Sequence, residues 1–198
     1  MVSSCDALVG VDKRSFFRCV HDTTGWGGSK VSMNFLKRLR TKKAAKAALR
    51  HRVMALHGLI VDAVLQWTAD DRLGMKDEFP LRFEVMILAV ALVLVAVKDE
   101  KELVQGLWDM TFEGLEESLR QRGVNDIRMG ARMRVLIHNA MGRCRAYMAA
   151  MENKNEAALA ESVVRNVFNG TVGQQQTVEM LLSSVLKLPQ RVLGGKNC

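Results

Sequence analysis

Cysteine and histidine carry most metal binding and much nucleophilic chemistry, and this chain of 198 residues has four of each. Their spacing assembles neither. Cys5, Cys19, Cys144 and Cys198 include no C-x-x-C pair. His21, His51, His57 and His138 include no i,i+4 pair and no cysteine at ligand spacing, so no zinc site is expected. A chain of this size does not need disulfides, and the thiols read as reduced, in a cytosol-like compartment. Gly25–Lys30 (GWGGSK) resembles the end of a phosphate-binding loop, but it lacks the first glycine at the required spacing and a strand before it. Neither G-x-S-x-G nor H-E-x-x-H occurs. Glu113, Glu116 and Glu117 cluster on one stretch, a pattern usual for a solvated helix face. With no nucleophile and base brought together by spacing, the chain is expected not to be an enzyme and to need no cofactor.

The charge pattern carries more information. The net charge is +8, which favours phosphate backbones, anionic lipid or acidic protein surfaces as partners. Residues 37–52 hold eight lysines and arginines, and no acid occurs between Thr23 and Val61. Lys37, Arg38, Arg40, Lys42, Lys43, Lys46 and Arg50 are the candidate contacts with a membrane or a ribosome. Phe35, Leu36 and Leu39 share one helical face among them, so the stretch reads as a basic amphipathic arm. Phe35 is the one aromatic residue placed there to stack on a base, which favours lipid or backbone contact over base reading, and no DNA partner is expected.

The elements that position these residues read as helices. The only prolines are Pro80 and Pro189, separated by 108 residues, and hydrophobic residues make up 48% of the chain. Val53, Leu56, Leu59, Ile60, Val64 and Trp67 form the first stripe, which fades between Trp67 and Arg72. Glu78-Phe79-Pro80 starts a second helix that runs to about Val97. Its 13 uncharged residues from Val85 are too few for the roughly 20 of a membrane span, so it reads as a core helix buried on most sides. A third helix spans about Lys101–Arg122, with Gly106 and Gly114 placed for close helix contact and Gly123-Val124 as its stop. Asn125 or Asp126 caps the fourth, and Asn153 with Glu156 has capping-box spacing for the fifth. A sixth, about Val172–Leu188, ends at Pro189.

The organisation expected is all-α: a single compact domain of about six helices around a central apolar helix. Residues 1–32 read as an irregular extension that the native protein need not carry, since Met33 opens the basic arm at 33–52. The helical domain covers 44–188, and 189–198 is a flexible tail.

Within that frame the chain resembles the ubiquinol–cytochrome c chaperone family, over roughly residues 44–170. The resemblance is carried by Arg82, Phe83 and Glu84 on the apolar helix; by Trp108, Asp109 and Phe112; and by Glu116, Leu119, Arg120, Gly123, Val124 and Asp126. Gly130, Gly142, Arg143, Tyr147, Arg165, Asn166 and Val167 follow in order. Ala140-Met141 departs from an aromatic pair usual before the Gly-Arg element, and Gly114 and Ala131 depart from an acid and a base. The resemblance implies a helical chaperone that takes newly made cytochrome b as its client. It would sit in the cytoplasm (the mitochondrial matrix, if eukaryotic), peripheral to the anionic inner membrane. A ribosome and a second assembly factor are further partners. Two rival readings are a lipid or quinone carrier and an RNA- or ribosome-binding module without a client.

Overall fold

The structure, a computed structural model, describes residues 33–75, 78–170 and 175–194. By contacts the chain forms two units, Met1–Leu39 and Arg40–Cys198, and the hydrophobic core belongs to the second. Residues 1–32, with GWGGSK and Cys5, Cys19 and His21, lie outside the described residues, as does Cys198.

Helix α2 (Phe79–Val97) is central. Five of its nineteen residues are valine, a poor helix former because its branched Cβ loses rotamer freedom. Tertiary burial therefore holds it helical: Val85, Ile87 to Leu94 and Val97 are all buried. By length and composition α2 is apolar enough to cross a membrane, yet most of it is enclosed by its own chain, as expected of a core helix.

The helices that enclose it are amphipathic. They are α3 (Lys101–Gln121), α4 (Asp126–Glu152), α5 (Glu156–Val167), α6 (Gln175–Val185) and α7 (Lys187–Gly194). Helices α3, α4, α5 and α7 touch α2 directly, and α6 packs on α5 and α7. Helix α1 (Met33–Thr68) adds Val53, Ile60, Ala63, Val64 and Trp67 to the core. The described residues thus contain seven α-helices, a 3₁₀ turn at Asp71–Leu73 and no strand.

Several helix ends follow the sequence. Gly123 adopts φ +82°, and the Gly123 and Val124 amides donate to the Arg120 and Leu119 carbonyls, closing α3. The Asn125 side chain accepts from the Arg128 amide and caps α4. Gly170, at φ +72°, stands after α5.

The arm at 33–52 and the Val53 stripe lie on one helix, α1. Two expectations are corrected. The cap of α5 is Asn155, which accepts from the Ala158 amide at 3.0 Å, whereas Asn153 closes α4. The sixth helix is divided into α6 and α7. A proline ring at 189 collides with the carbonyl four residues back in an unbroken helix, so the break falls at Leu186 and Pro189 sits in the first turn of α7. Pro189–Gly194 is consequently helical rather than a tail, with Val192 buried.

The two glycines inside α3 differ. A Cβ on Gly106 would lie 2.6 Å from Val53 Cγ2, so α1 and α3 meet there backbone to side chain. A Cβ on Gly114 would meet nothing within 4 Å, so no close helix approach depends on that glycine. Gly114→Ala should therefore raise stability by about 0.5–1 kcal/mol through helix propensity. Gly106→Ala should lower it by about 1–3 kcal/mol, because a stiff, buried valine must move. Urea denaturation of both variants checks this, and equal effects would contradict the packing described.

Candidate functional site

Five of the residues that carry the family resemblance converge where α2, α4 and α5 meet. Arg143 and Tyr147 are four apart on α4 and so share one face. Arg143 Nε lies 2.6 Å from Glu84 Oε2 of α2, with side-chain exposures of 26% and 13%. The guanidinium carbon is 5.8 Å from the centre of the Phe83 ring, within cation–π range. Tyr147 is wholly buried, and its hydroxyl accepts from Asn166 Nδ2 of α5 at 3.0 Å. The ion pair is a contact pair: its two facing atoms are buried, and neither meets an aligned hydrogen-bond partner.

Electrostatics bind the cluster together. Burial pushes the Glu84 carboxyl up to about 7, with the Arg143 charge pulling the other way. Burial likewise pushes the Tyr147 hydroxyl up to about 12; the Asn166 hydrogen bond opposes the shift, and the charges of Glu84, Arg143 and Arg165 all reach it. A carboxyl half-ionised near neutrality beside an arginine resembles a tuned acid–base group. No nucleophile or metal-ligating partner accompanies it, and among the described residues no cluster could hold a metal ion. The chemistry this arrangement supports is mechanical: it ties three helices together. Glu84 and Asn166 also line an open cleft of about 260 Å³, walled by Pro80, Leu81, Val167 and Phe168.

The other motif residues stand elsewhere. Trp108 and Phe112 stack on α3 with centroids 5.2 Å apart and planes 12° from parallel. Asp109 is exposed and accepts from Gln105 of its own helix at 2.7 Å. Glu116 pairs with Arg120 at 2.8 Å, and Gly123 ends α3. Asp126 opens α4, where an acid suits the helix dipole. Arg82 and Gly142 are exposed. Lys37, Arg38, Arg40, Lys42, Lys43, Lys46 and Arg50 are exposed along α1 and take no part in the cluster.

Sequence reasoning missed two links. Arg52, read only as part of the basic run, forms a two-pronged pair with Glu100 at 2.6 and 3.0 Å. Arg122 covers the Phe79 ring at 4.7 Å. Neither partner lies near the other in sequence, so no spacing could have announced them.

A bundle whose polar residues join helices around an apolar core defines an all-α scaffold and leaves its role to be read from its relatives. The comparisons give its family. Residues 71–188 match the family model described as ubiquinol-cytochrome C chaperone, and the chain belongs to that family. Its role is accordingly that of a chaperone for ubiquinol–cytochrome c reductase. A solved structure, the crystal structure of the Cbp3 homolog from Brucella abortus, is 28% identical. It superposes with a TM-score of 0.65 over 79% of this chain and 87% of that one. Among curated proteins no sequence matches.

Two outcomes test the cluster. Arg143→Met leaves the buried carboxyl without its counter-charge and should cost about 3 kcal/mol. Glu84→Gln should recover much of that cost when combined with it, so a double-mutant cycle by urea denaturation should be non-additive. The second is pH dependence. The Glu84 value is about 7 when folded against an ordinary 4.5. The folded chain therefore holds more protons than the unfolded chain between these values, and stability falls as pH rises across that window. Relative to Glu84→Gln, the wild type should lose up to about 3 kcal/mol between pH 4.5 and 7. Parallel stability–pH curves for the two proteins would show that the carboxyl is not tuned.

Proposed function

We propose that this chaperone receives newly made cytochrome b and works at the cytoplasmic face of the inner membrane, or its matrix face in a mitochondrion. The observation that carries this reading is the α1 arm. Lys37, Arg38, Arg40, Lys42, Lys43, Lys46 and Arg50 are all exposed, and α1 has no acid before Asp62. Leu39, among them, is 48% exposed. A basic helix with an exposed leucine suits an anionic bilayer. At about 1 kcal/mol per basic residue near such a surface, a few contacts suffice for recruitment. A polytopic client emerges beside the bilayer, so a soluble helper profits from being held there.

Charge reversal at Lys42, Lys43 and Lys46 should weaken co-sedimentation with phosphatidylserine-containing vesicles at least tenfold at low salt. Equal loss on ribosomes but none on vesicles would assign the arm to RNA phosphate instead. Deletion of the gene should lower the cytochrome b haem band of membranes. A normal haem spectrum with normal quinol oxidation would remove the client assignment.

A further inference from the structure

Helix α7 and the C-terminal end of α1 wall an open cleft of about 280 Å³. Lys187, Leu188 and Arg191 line it from α7, Gln66 and Trp67 from α1, and Asp70 from just beyond α1. The break that Pro189 imposes starts α7 at Lys187. Lys187 and Arg191 are four residues apart, so they share one face of α7, and both are exposed. Like charges at that spacing repel and weaken a helix. Neither enters an ion pair among the described residues. The nearby acid is already engaged: Asp70 Oδ1 accepts from Arg72 Nε at 2.8 Å, and Oδ2 from Arg72 Nη2 at 2.6 Å.

Trp67 adds an unspent donor. The residue is 6% exposed, and a buried indole N–H usually has an acceptor. This one meets none among the described residues. Nor is it sealed in the core, where the buried polar atoms without an aligned partner are Glu84 Oε2 and Arg143 Nε. Because Trp67 lines the cleft, its N–H has access to what the cleft holds. Gln66, exposed beside it, brings a side-chain amide that can also donate.

The cleft thus gathers two full positive charges and neutral N–H donors, while its carboxylate is held by Arg72. Such a set fits an oxyanion. A phosphate presents oxygens in several directions, so it can meet donors from both walls at once. The Arg191 guanidinium grips two of them in a fork, and the Lys187 ammonium adds a point charge. An anion between these two side chains also relieves their mutual repulsion. Leu188, buried in the same wall, offers an apolar surface that a bare ion would leave unused.

We infer that this cleft binds a phosphate ester through Lys187, Arg191 and the Trp67 indole N–H, with the carbon part of the ligand against Leu188. At about 280 Å³ it has room for a phosphorylated headgroup or a small phosphate ester, and not for acyl chains. Bound there, the ester ties α1 to α7. The site is separate from the basic arm: Arg50 lies sixteen residues from Gln66 along α1, which is about 24 Å of helix.

The indole N–H gives a direct readout in nitrogen–proton correlation spectra of the full-length chain, its signal assigned with Trp67→Phe. Glycerol phosphate should move that signal saturably, with a Kd below about 10 mM, and chloride at equal ionic strength should not. Lys187→Gln combined with Arg191→Gln should weaken the response at least tenfold and leave the urea midpoint unchanged. Charge reversal at Lys42, Lys43 and Lys46 should leave the response unchanged, so a failure of the membrane reading would not touch this one. Dihexanoyl phosphatidylglycerol binding at least tenfold tighter than glycerol phosphate would identify a lipid headgroup as the source of the ester. Equal or weaker binding would identify a free phosphate ester. An indole signal that glycerol phosphate does not move, or that moves equally in the double variant, would overturn the inference.

Discussion

A nineteen-residue helix that carries charge only in its first turns cannot be left in water, and the architecture follows from keeping it out. Each fully buried aliphatic side chain is worth about 1.5–3 kcal/mol, and the run from Ile87 to Leu94 is buried without interruption. One neighbouring helix covers only part of a cylinder. Four helices touch α2 directly, and their apolar stripes face it. The valines of α2 have little tendency to hold a helix alone, so the central element and its jacket depend on each other.

Where α2 meets α4 and α5 near its N-terminal end, the apolar environment is broken by a charged pair. An ion pair withdrawn from water gains little net stability over an apolar substitute, but losing one partner is costly. Such a contact makes an arrangement specific more than it makes it stable. Glu84 and Arg143 fix α4 against α2, and Tyr147 with Asn166 extends the link to α5. The link joins three helices without adding further hydrophobic area, and it stands beside an open cleft lined by Glu84 and Asn166.

The exterior is divided by charge. Helix α1 carries an acid-free basic stretch, α3 an acidic face and α4 exposed arginines on two flanks. In a protein of net charge +8 this sorting gives the exterior regions of opposite sign. The core is indifferent to both, and a single helical scaffold can therefore present several unlike surfaces.

The sequence by itself determined the helical class, the burial of the segment 85–97, the stop at Gly123 and the cap at Asn125. Each is a local matter: periodicity, a short apolar run, a left-handed glycine, a side chain reaching three residues ahead. The residues of the cluster were legible one by one, through a family likeness, but their meeting was not. Glu84, Arg143 and Asn166 are brought together only by the packing of three helices, and no spacing encodes that. Local signals failed where two choices were nearly equal, as with Asn153 against Asn155, or where one residue acted at a distance of a turn, as when Pro189 divided the last helix. Tertiary structure also decided which charges would be paired. Arg52 found Glu100 and Arg143 found Glu84 across the fold, while among the described residues Arg128, Arg132, Arg134 and Arg145 pair with no carboxylate, because Coulomb energy depends on distance in space and the chain order sets that distance only for near neighbours.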